Sequence, residues 1–566
     1  SSALGLSIVW AEFDFGADIY RNRQLVAERL ARLEGALPAN VQPPGMTPVA
    51  SIAGEIMLLG LTSPEGTVSP LELRRIAEFD LRPRLLATTG VAQVTALGGE
   101  LPEFQLRVRP ENLLRYGLSL AQVSKAAEEA HAPVGAGYLP DVSGRELPLR
   151  PDTRVRSAED IASTVVGQWN GAPVTLGQVA DIGIGGAPRR GSGSAGGQPA
   201  VILTVQRNPK ANTLELTSRI DTVLSDFEKT IPEGVALQRS IFRQADFINV
   251  AVNNVLEALR DAAIFVVIIL FLFLLNFRTT LITLTALPLS LGAALLALDA
   301  WGATVNVMTL GGIAVAVGSL VDDAIVDVEN VFRRLRLNAA LPEDKRSTTL
   351  QVIYEASVEV RQAIFLATVV IILVFVPLFF LGGIEGRFFR PLGAAYVIGL
   401  GASLIVAMTV TPVLCYYLLR NAPAVEGKRE GWLVRVLKAR YTSALRFALR
   451  ARSLVLAGSG ALLAAAVLLA TTYGSSFIPE FNEGSITLFV NTPPGTSLPE
   501  SDRVAHQIEI QAGRISGVAA VTRRTGRAEQ DEHVEPVSSS EMEIRLEAGV
   551  DPDAVRHDLV ALIAAA

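Results

Sequence analysis

Four carboxylates lie within eight residues, near the end of a stretch of sequence that is otherwise apolar. They are Asp322, Asp323, Asp327 and Glu329. A carboxylate at the centre of a bilayer costs about 2.5–3.5 kcal/mol on insertion scales, so it normally persists where it carries protons or ions, or where it pairs with a buried cation. The chemistry that this stretch indicates is therefore the transfer of protons or ions inside a membrane.

Helical geometry separates these carboxylates by face and by depth. At 100° per residue, Asp322 and Glu329 lie about 20° apart, and Asp323 and Asp327 lie within about 60° of each other. With a rise of about 1.5 Å per residue, Asp322 and Asp323 lie about 15–17 Å from Arg333, near the midplane of a hydrocarbon core that is about 30 Å thick. Asp327 and Glu329 lie closer to the basic end of the segment.

The depth of each carboxylate decides which function it can have. Two adjacent acids at the midplane repel each other, so one of Asp322 and Asp323 should bind a proton and exchange it near neutral pH. A proton-driven pump needs this property; the alternative for the pair is a static buried ion pair. Asp327 and Glu329 have an alternative of their own, because they can pair with the basic residues that follow them. Those residues are Arg333, Arg334 and Arg336.

The composition indicates membrane spans that alternate with water-facing domains. Of 566 residues, 50% are hydrophobic and 19% are charged, and the mean hydropathy is +0.37, which is high for a soluble protein of this length. A net charge of −6 without a basic domain gives no support for nucleic-acid binding. The single cysteine, Cys415, excludes an internal disulfide. No nucleophile–base–acid set and no phosphate-binding lysine motif is present, which disfavours an enzyme or an ATP-driven pump.

Six apolar runs of about 20 residues predict six transmembrane helices. Their approximate ranges are 258–277, 280–300, 306–332, 362–382, 391–419 and 453–472. The two most basic connections follow the third and fifth runs, so the positive-inside rule places them in the cytoplasm and the regions before about 250 and after about 475 outside. Basic and apolar residues at helical spacing over about 430–449 predict an amphipathic helix, which lies on the inner leaflet or packs on the bundle.

The outer regions repeat one order of elements: a strand, a helix, a Gly/Pro stop and a strand. The pattern occurs at 7–38, 200–235 and 485–521, with strands at 7–13, 200–206 and 485–491 and helices at about 18–33, 214–229 and 499–515. It predicts split βαβ modules with a ferredoxin-like fold. A fourth half-copy fits a strand at 103–108 followed by a helix at 120–130. A Gly/Pro-rich block at about 132–198 predicts an inserted β-rich subdomain, in which 191–197 is expected to be a mobile loop. The predicted fold class is therefore α+β, with a helical transmembrane bundle and ferredoxin-like outer modules.

The acidic segment also resembles a known family. VDDAIV at 321–326, with Glu329 and Asn330, resembles the fourth transmembrane helix of the resistance-nodulation-division (RND) efflux permeases, and the order of predicted domains is similar over essentially the whole chain. The resemblance implies that both ends of the chain cut through a subdomain and that the second half of the permease is absent. It implies a porter subdomain at 1–98, a second at 99–131 and 199–245, a docking insert at 132–198, transmembrane helices within 250–474 and a truncated third porter subdomain at 475–566.

The branch of the family stays open at this point. Segments 37–44, 54–57, 109–119 and 385–393 resemble the heavy-metal efflux branch. The pair of Asp322 and Asp323 instead resembles the exporters of hydrophobic and amphiphilic drugs, since metal exporters more often have one acid there, with Glu329 downstream. A multidrug exporter is therefore the main alternative, and a secretion or lipid-sensing protein of the same superfamily is a further one.

Candidate metal ligands lie in the third porter region. His533, between Glu532 and Glu535, offers nitrogen and oxygen ligands for a borderline or hard divalent ion; an exposed acidic loop is the alternative. Met542 lies about three residues from the position, near Ser539, where copper and silver pumps of the family have a methionine. The copper site is therefore not expected here.

The resemblance implies a secondary active transporter, a proton antiporter of the bacterial inner membrane with periplasmic domains, and not an enzyme. No cofactor is expected, apart from a transported metal ion and the proton as coupling ion. The implied partners are two further copies of the chain in a homotrimer, a periplasmic adaptor (membrane fusion) protein, an outer-membrane channel that meets the docking insert, and membrane lipid. No nucleic-acid partner is expected.

Overall fold

The computed structural model describes most of the chain and divides it into two compact units. The sheet unit comprises Ser1–Ala245 and Phe481–Ala566, and the helical unit comprises Asp246–Glu480. The description leaves out residues 1, 4–5, 14–16, 34–35, 39–40, 42, 50–53, 131–136, 143–144, 149–153, 275, 305, 421–431, 474–483, 529–534, 548 and 566.

All strands of the described residues belong to the sheet unit. They are β1 Ser2–Ala3, β2 Leu6–Ser7, β3 Glu55–Thr62, β4 Val91–Leu97, β5 Pro102–Val108, β6 Tyr138–Val142, β7 Arg145–Pro148, β8 Val165–Trp169, β9 Ala172–Thr175, β10 Ala180–Gly186, β11 Gly191–Ala195, β12 Gln198–Arg207, β13 Ala236–Arg243, β14 Ser485–Asn491, β15 Val518–Gly526 and β16 Ser539–Leu546.

The helices are distributed over both units. Those of the sheet unit are α1 Ile19–Ala31, α2 Pro70–Arg75, the π-helix Ile76–Leu81, α3 Arg82–Leu86, α4 Pro110–Tyr116, α5 Leu120–Glu129, α6 Ala158–Ala162, α7 Leu176–Val179, α8 Thr213–Glu228 and, after the helical unit, α16 Leu498–Ala512 and α17 Pro552–Ala565. The helical unit contains most of α9 Gln244–Leu274, together with α10 Phe277–Ala300, α11 Val307–Ala339, α12 Thr349–Phe375, α13 Gly383–Leu419, α14 Trp432–Arg450, α15 Arg452–Ala470 and the 3-10 helices Glu343–Lys345 and Val376–Phe380.

Four strands of the sheet unit form a ferredoxin-like module, which we call module 1. Its strands lie in the antiparallel order β13–β3–β12–β4, with helices between β3 and β4 and between β12 and β13. It therefore combines residues 55–97 with 198–243, so the sheet crosses the boundary near 98 that the sequence predicts between two modules. Both β3 and β4 precede the long insert, and only the later pair, β12 and β13, completes their sheet.

Strand β12 is buried on both faces, and its alternating side chains build two cores. Val201, Leu203 and Val205 pack under the helices of module 1. Ala200 and Ile202 point to the other face, where they pack in a cluster with Leu58 and Ile241. Side chains of successive strand residues point to opposite faces, so a continuous apolar run is the pattern that this central position requires.

A second module, module 2, comprises residues 485–565 in the order β15–β16–β14, with α16 and α17 packed on it. The predicted strand at 485–491 and the predicted helix at 499–515 are confirmed as β14 and α16. Similarly, the strand and helix predicted at 200–206 and 214–229 are confirmed as β12 and α8. In each case, a Gly/Pro stop follows the amphipathic helix, as the sequence predicts.

Strand β11 joins the two modules into one eight-stranded sheet. It pairs with β12 through Gly193–Ala195 and with β15 through Gly191–Ala195. The mobile loop predicted at 191–197 is therefore wrong for its first five residues. A Cβ on Gly193 would lie 2.7 Å from the Ala200 carbonyl oxygen, so the glycine that suggested a mobile loop is needed for close approach between strands.

A buried group of charges, the Arg523 cluster, fixes this joint. It consists of Arg523 on β15, Asp502 and Glu509 on α16, and Ser192 and Ser194 on β11. Arg523 donates to Glu509 at 3.1 Å and to Asp502 at 2.7 Å, and Ser194 donates to Glu509 at 2.7 Å. Ser192 donates to Asp502. The acids of module 2 thus bind both a cation of their own module and the hydroxyls of β11.

The insert between β4 and β12 is a small αβ body with its own core. Strands β5 and β10 pair along their whole length and close it. Val123 of α5 packs there with Val174, Leu176 and Val179. The half-module predicted at 103–130 therefore packs with the insert and not with the porter-like sheet, because its strand pairs with β10.

The predicted strand at 7–13 is wrong beyond Ser7. Only Leu6–Ser7 is strand there, and residues 8–13 have no regular structure. Val9 is 89% exposed, so its β-branched side chain has no core to pack against. The helix that follows is confirmed: Asp18 caps α1 by accepting from the backbone N–H of Tyr20 at 2.9 Å.

Within the described residues, five helices are long and apolar enough to cross a membrane. They are Phe277–Ala300, Val307–Ala339, Thr349–Phe380, Glu385–Leu419 and Arg452–Ala470. Most of the predicted first span, 258–277, lies in α9, which ends at Leu274 and is not among the five, so the count of six stays a prediction. The predicted amphipathic helix is found as α14, and none of its described side chains from 435 to 450 is buried. It therefore does not pack into the helical core.

Replacing Arg523 by Met should destabilise the sheet unit, because Glu509, which is 1% exposed, would lose its cation. Removing one partner of a buried ion pair costs about 3–5 kcal/mol. Thermal unfolding followed by circular dichroism should give a lower Tm than the natural protein. Arg503→Met is the matched control, since Arg503 pairs with Glu500 on the exposed side of the same helix and should leave Tm unchanged. Equal Tm values for the two variants would contradict the role of the cluster.

Asp502→Asn should lower Tm at neutral pH, and this loss should fade in acid. Burial opposes the charge of Asp502, but hydrogen bonds from Ser192 and Arg523 outweigh it, so the pKa lies below the ordinary value. The charge therefore stabilises the fold above the unfolded pKa of about 3.9, and this contribution is lost as pH falls through the folded pKa. The difference in Tm between the natural protein and the variant should be constant from about pH 7 to 5 and should shrink below about pH 4. A constant difference down to about pH 3 would show that the charge is not the cause.

Candidate functional site

The four carboxylates lie on α11, which contacts three other long helices. It packs against α10, α12 and α13, and its 33 residues span about 50 Å, more than the hydrocarbon core. Its start is fixed locally: Asn306 accepts from the Thr309 N–H at 2.9 Å, and the Thr309 hydroxyl accepts from the Asn306 N–H at 2.8 Å. The acids follow four turns later, so the cap helps to set their depth.

Small residues hold α11 closely against α13. A Cβ on Gly312 would clash with the carbonyl oxygen of Leu392, and one on Gly399 would lie 3.2 Å from the Cβ of Ala316. Ser403 donates to the carbonyl oxygen of Leu320 at 2.8 Å. Close backbone approach through small residues is the usual way in which membrane helices pack. The contact fixes the rotation of α11 and hence the direction of each acid.

This rotation places the carboxylates on different faces. Asp322 and Glu329 are exposed, Asp323 is half-buried and Asp327 is 3% exposed. Neither Asp322 nor Asp323 makes an ion pair or hydrogen bond with any residue that the structure describes. Ala324, on the apolar side, packs with Ala286 of α10 and Val406 of α13. The structure therefore brings Asp322 and Asp323 together as unpaired neighbours and separates Asp327 from Glu329.

The basic end of α11 is tied to α12 by a polar network. Asn330 donates to the Ala356 carbonyl oxygen at 2.8 Å and to Glu359 at 3.3 Å. Arg334 donates to the same Glu359 oxygen at 2.9 and 2.7 Å, and Arg333 donates to Asn330 at 2.6 Å. Glu359 is not among the residues predicted from the sequence, because the apolar run that predicts the fourth span begins at 362. The signal was present, since α12 starts at Thr349 and carries Glu359 as an acid just before its apolar part.

The alternative in which Asp327 and Glu329 pair with the following arginines is not found. Arg334 is bound to Glu359, and Arg336 stacks on the ring of Phe332 at 5.9 Å. Among the residues that the structure describes, no ion pair is formed by Asp327 or Glu329. These two acids are therefore not explained by the nearby basic residues.

The candidate metal ligands of module 2 are only partly placed. Met542 is 0% exposed and packs in the apolar core with Ala505, Val521 and Ile544. Glu535 is exposed in the connection between β15 and β16, and His533 and Glu532 lie outside the described residues. In the described ranges, no group of three or more His, Cys, Asp or Glu side chains is arranged to hold a metal ion.

Gly312→Ala should weaken the contact between α11 and α13, because its methyl group would overlap the Leu392 carbonyl oxygen. Gly311→Ala is the matched control: a Cβ there meets nothing within 4 Å, and alanine favours helix. Thermal unfolding in detergent should give a lower Tm for Gly312→Ala than for Gly311→Ala. The packing described above would be contradicted if the two variants had the same Tm.

Comparison with known proteins identifies the family to which this arrangement belongs. The model of the AcrB/AcrD/AcrF family matches residues 1–565. Protein HelA of Legionella pneumophila is 32% identical over 538 residues, which are 93% of this chain and 50% of HelA. The cobalt-zinc-cadmium resistance protein CzcA of Cupriavidus metallidurans is 30% identical over 561 residues, 97% of this chain and 52% of CzcA.

A solved structure gives the same result for the fold. The X-ray crystal structure of a heavy metal efflux pump superposes with a TM-score of 0.80 at 25% identity, over 97% of this chain and 52% of that one. This chain thus spans about half the length of the curated relatives it matches. Since the family model covers nearly the whole sequence, the chain belongs to the AcrB/AcrD/AcrF family of RND permeases.

Proposed function

We propose that the complete protein is a proton-coupled exporter of heavy-metal cations in the inner membrane of a bacterium, and that Asp322 and Asp323 carry the proton. The observation that supports this most directly is the pair of neighbouring carboxylates on α11, which make no ion pair within the described part of the chain. A permanent structural role would require a partner for each charge. An unpaired acid at this depth has a use if it binds and releases a proton.

We expect the exposed side of α11 to face other helices of the complete permease. Asp322 faces away from the group formed by α10 to α13, and an ionised carboxylate is too costly against lipid tails at this depth. We therefore propose that further helices of the complete permease cover this face and supply a cation opposite Asp322 and Asp323. The relatives are about twice the length of this chain, so they have residues for such helices.

Protonation would change the forces on α11 in a defined way. When both acids are ionised they repel each other and each favours contact with water or a cation. A proton from the periplasm that binds either acid removes that repulsion and lets α11 turn or slide toward the apolar environment. Because α11 packs closely against α13 at Gly312 and Gly399, such a shift would be passed on to α13. The outer modules would then alternate between metal uptake and extrusion.

A heavy-metal cation is the cargo that the relatives favour. CzcA is named for cobalt, zinc and cadmium resistance, and CusA of Escherichia coli K12, 30% identical over 96% of this chain, is named a cation efflux protein. Because Met542 is enclosed in an apolar core, it offers no thioether to a cleft. This favours divalent ions, with His533, Glu532 and Glu535 as candidate ligands, over monovalent copper or silver. The Asp322–Asp323 pair supports the second candidate, an exporter of amphiphilic drugs.

The assembly follows from the same proposal. We assign module 1 and module 2 to porter subdomains and the body at 102–186 to the docking subdomain. The complete protein would act as a homotrimer with a periplasmic adaptor protein and an outer-membrane channel, with the docking subdomain directed to the channel. Helix α14, with an apolar and a basic side, would lie on the lipid of the inner leaflet.

Asp322→Asn and Asp323→Asn, made separately in the complete reading frame, should each abolish metal resistance in a sensitive bacterial host, because the amide cannot carry the proton. Growth would be measured against zinc, cobalt, nickel, copper, silver and cationic dyes, with membrane levels checked by immunoblot. Asp299→Asn, at the exposed end of α10, is the matched control and should keep resistance.

Two outcomes would count against this proposal. Unchanged metal resistance in both variants would show that these acids do not carry the proton. If the natural protein protected cells against dyes but not against metals, its function would be the export of drugs and not of metals.

A further inference from the structure

Asp327 lines a cavity on a different face of α11 from Asp322. The cavity has a volume of about 160 Å³ and lies between α11, α12 and α13. The residues that line it include Asp327, Tyr354, Ser357, Arg361, Met408 and Pro412. A cavity whose volume, defined in the same way, is only about 10–15 Å³ can hold one water. The space is therefore large enough for several waters beside the carboxylate.

The carboxylate of Asp327 is buried and unsatisfied. Asp327 is 3% exposed, and in the described part of the chain neither of its carboxylate oxygens has a hydrogen bond of normal geometry. The Ser357 hydroxyl, which lines the same cavity from α12, has none either. Buried polar atoms are nearly always paired with protein or ordered water. A carboxyl group in this position must either be protonated or, when it is ionised, be stabilised by water or a cation in the cavity.

The groups that surround Asp327 favour a proton over a metal cation. From α12, Tyr354 and Arg361 line the same cavity, and Arg361 brings a positive charge without forming an ion pair among the described residues. From α13, the buried Cys415 packs in the same core as Val328, the neighbour of Asp327 in the sequence. Helix α10 contributes no residue to the lining, and on α11 itself Asp323 lies one turn away. A guanidinium in the lining repels a second cation such as a metal ion, whereas protonation of Asp327 gives a neutral acid.

The backbone of α13 lacks one helical hydrogen bond beside this cavity. Pro412 lies inside α13 and has no N–H, so the Met408 carbonyl oxygen cannot receive the usual hydrogen bond from residue 412. Both residues line the cavity. The cavity therefore combines an acid, a hydroxyl, a phenol and a guanidinium, and it lies beside the point in α13 where a backbone hydrogen bond is missing. Groups of this kind stabilise water in a cavity, as a proton route requires.

We infer that Asp327 is a second proton-binding site, one helical turn beyond Asp323, that receives the proton from Asp323 and releases it into this cavity. In this step the proton leaves the Asp323 carboxyl, which becomes a carboxylate, and binds the Asp327 carboxylate. Residues 323 and 327 lie about 6 Å apart along the axis and about 40° apart around it, a gap that one water can bridge. Arg361 then stabilises the carboxylate that remains after release. This inference rests on the proposed proton coupling of Asp322 and Asp323.

Infrared difference spectroscopy of the purified complete protein, titrated with acid, tests the site directly. A protonated carboxylic acid has a C=O band that a carboxylate lacks, so the natural protein should gain a band that Asp327→Asn does not. The matched control is Glu355→Gln, an exposed acid on α12 that bonds to Gln351 at 3.0 Å and is not part of the cavity; this variant should keep the Asp327 band. An unchanged band in Asp327→Asn, or its absence from the natural protein, would overturn the inference.

Two more variants separate this inference from the function on which it rests. The double variant Asp322→Asn with Asp323→Asn should lose metal export but retain the Asp327 band, so export tests the carrier pair and the band tests the cavity. Asp327→Glu keeps an acid in the cavity and should shift the band in frequency. If Asp327→Asn does not fold, Asp327→Glu is the only variant that tests the site. A C=O band at the same frequency in this variant as in the natural protein would then overturn the inference.

Discussion

The cost of an uncompensated charge in an apolar environment determines how this protein is built. In the helical unit, α11 is long and apolar enough to cross a membrane, and a carboxylate in such a segment must have a partner or a use. Their positions depend on the rotation of α11, which the close contacts of Gly312 with Leu392 and of Gly399 with Ala316 fix. At the basic end, the network of Asn330, Arg334 and Glu359 ties the helix to α12. The polar groups that join α11 to α12 are thus hydrogen-bonded, while Asp322, Asp323 and Asp327 have no ion-pair partner in the ranges that the structure describes.

In the sheet unit, by contrast, the buried carboxylate of Glu509 is hydrogen-bonded and paired with a cation. Glu509 is as buried as any acid of the helical unit, but Arg523 and Ser194 occupy its oxygens. Such a compensated group is suited to fixing a joint between two modules, because any change in it is costly. Asp323 and Asp327 lack comparable partners among the described residues, so they can change charge. The difference between fixed and exchangeable acids lies in their neighbours, and not in residue type.

Much of this arrangement could be predicted from local patterns in the sequence. The faces of α11 follow from helical periodicity, and β14, β12, α8 and α16 follow from alternation, amphipathicity and Gly/Pro stops. The partners of each strand could not be predicted, because β3 pairs with β12 and β13 across an insert of about a hundred residues. Gly191 and Gly193 suggested flexibility, yet strand pairing uses their lack of a Cβ. The cavity at Asp327 depends on Ser357, Arg361 and Pro412 from other helices, which no local pattern connects.

The central claim is that metal export is driven by protons carried on α11. The most direct measurement uses the complete protein in liposomes with a pH-sensitive dye inside and a metal ion, such as Zn²⁺, added on the side from which it is loaded. The claim predicts a metal-dependent proton flux opposite in direction to metal movement, and its loss when Asp322 and Asp323 are both replaced by Asn. Metal transport that continues without proton flux, or a flux that persists in the double variant, would contradict it.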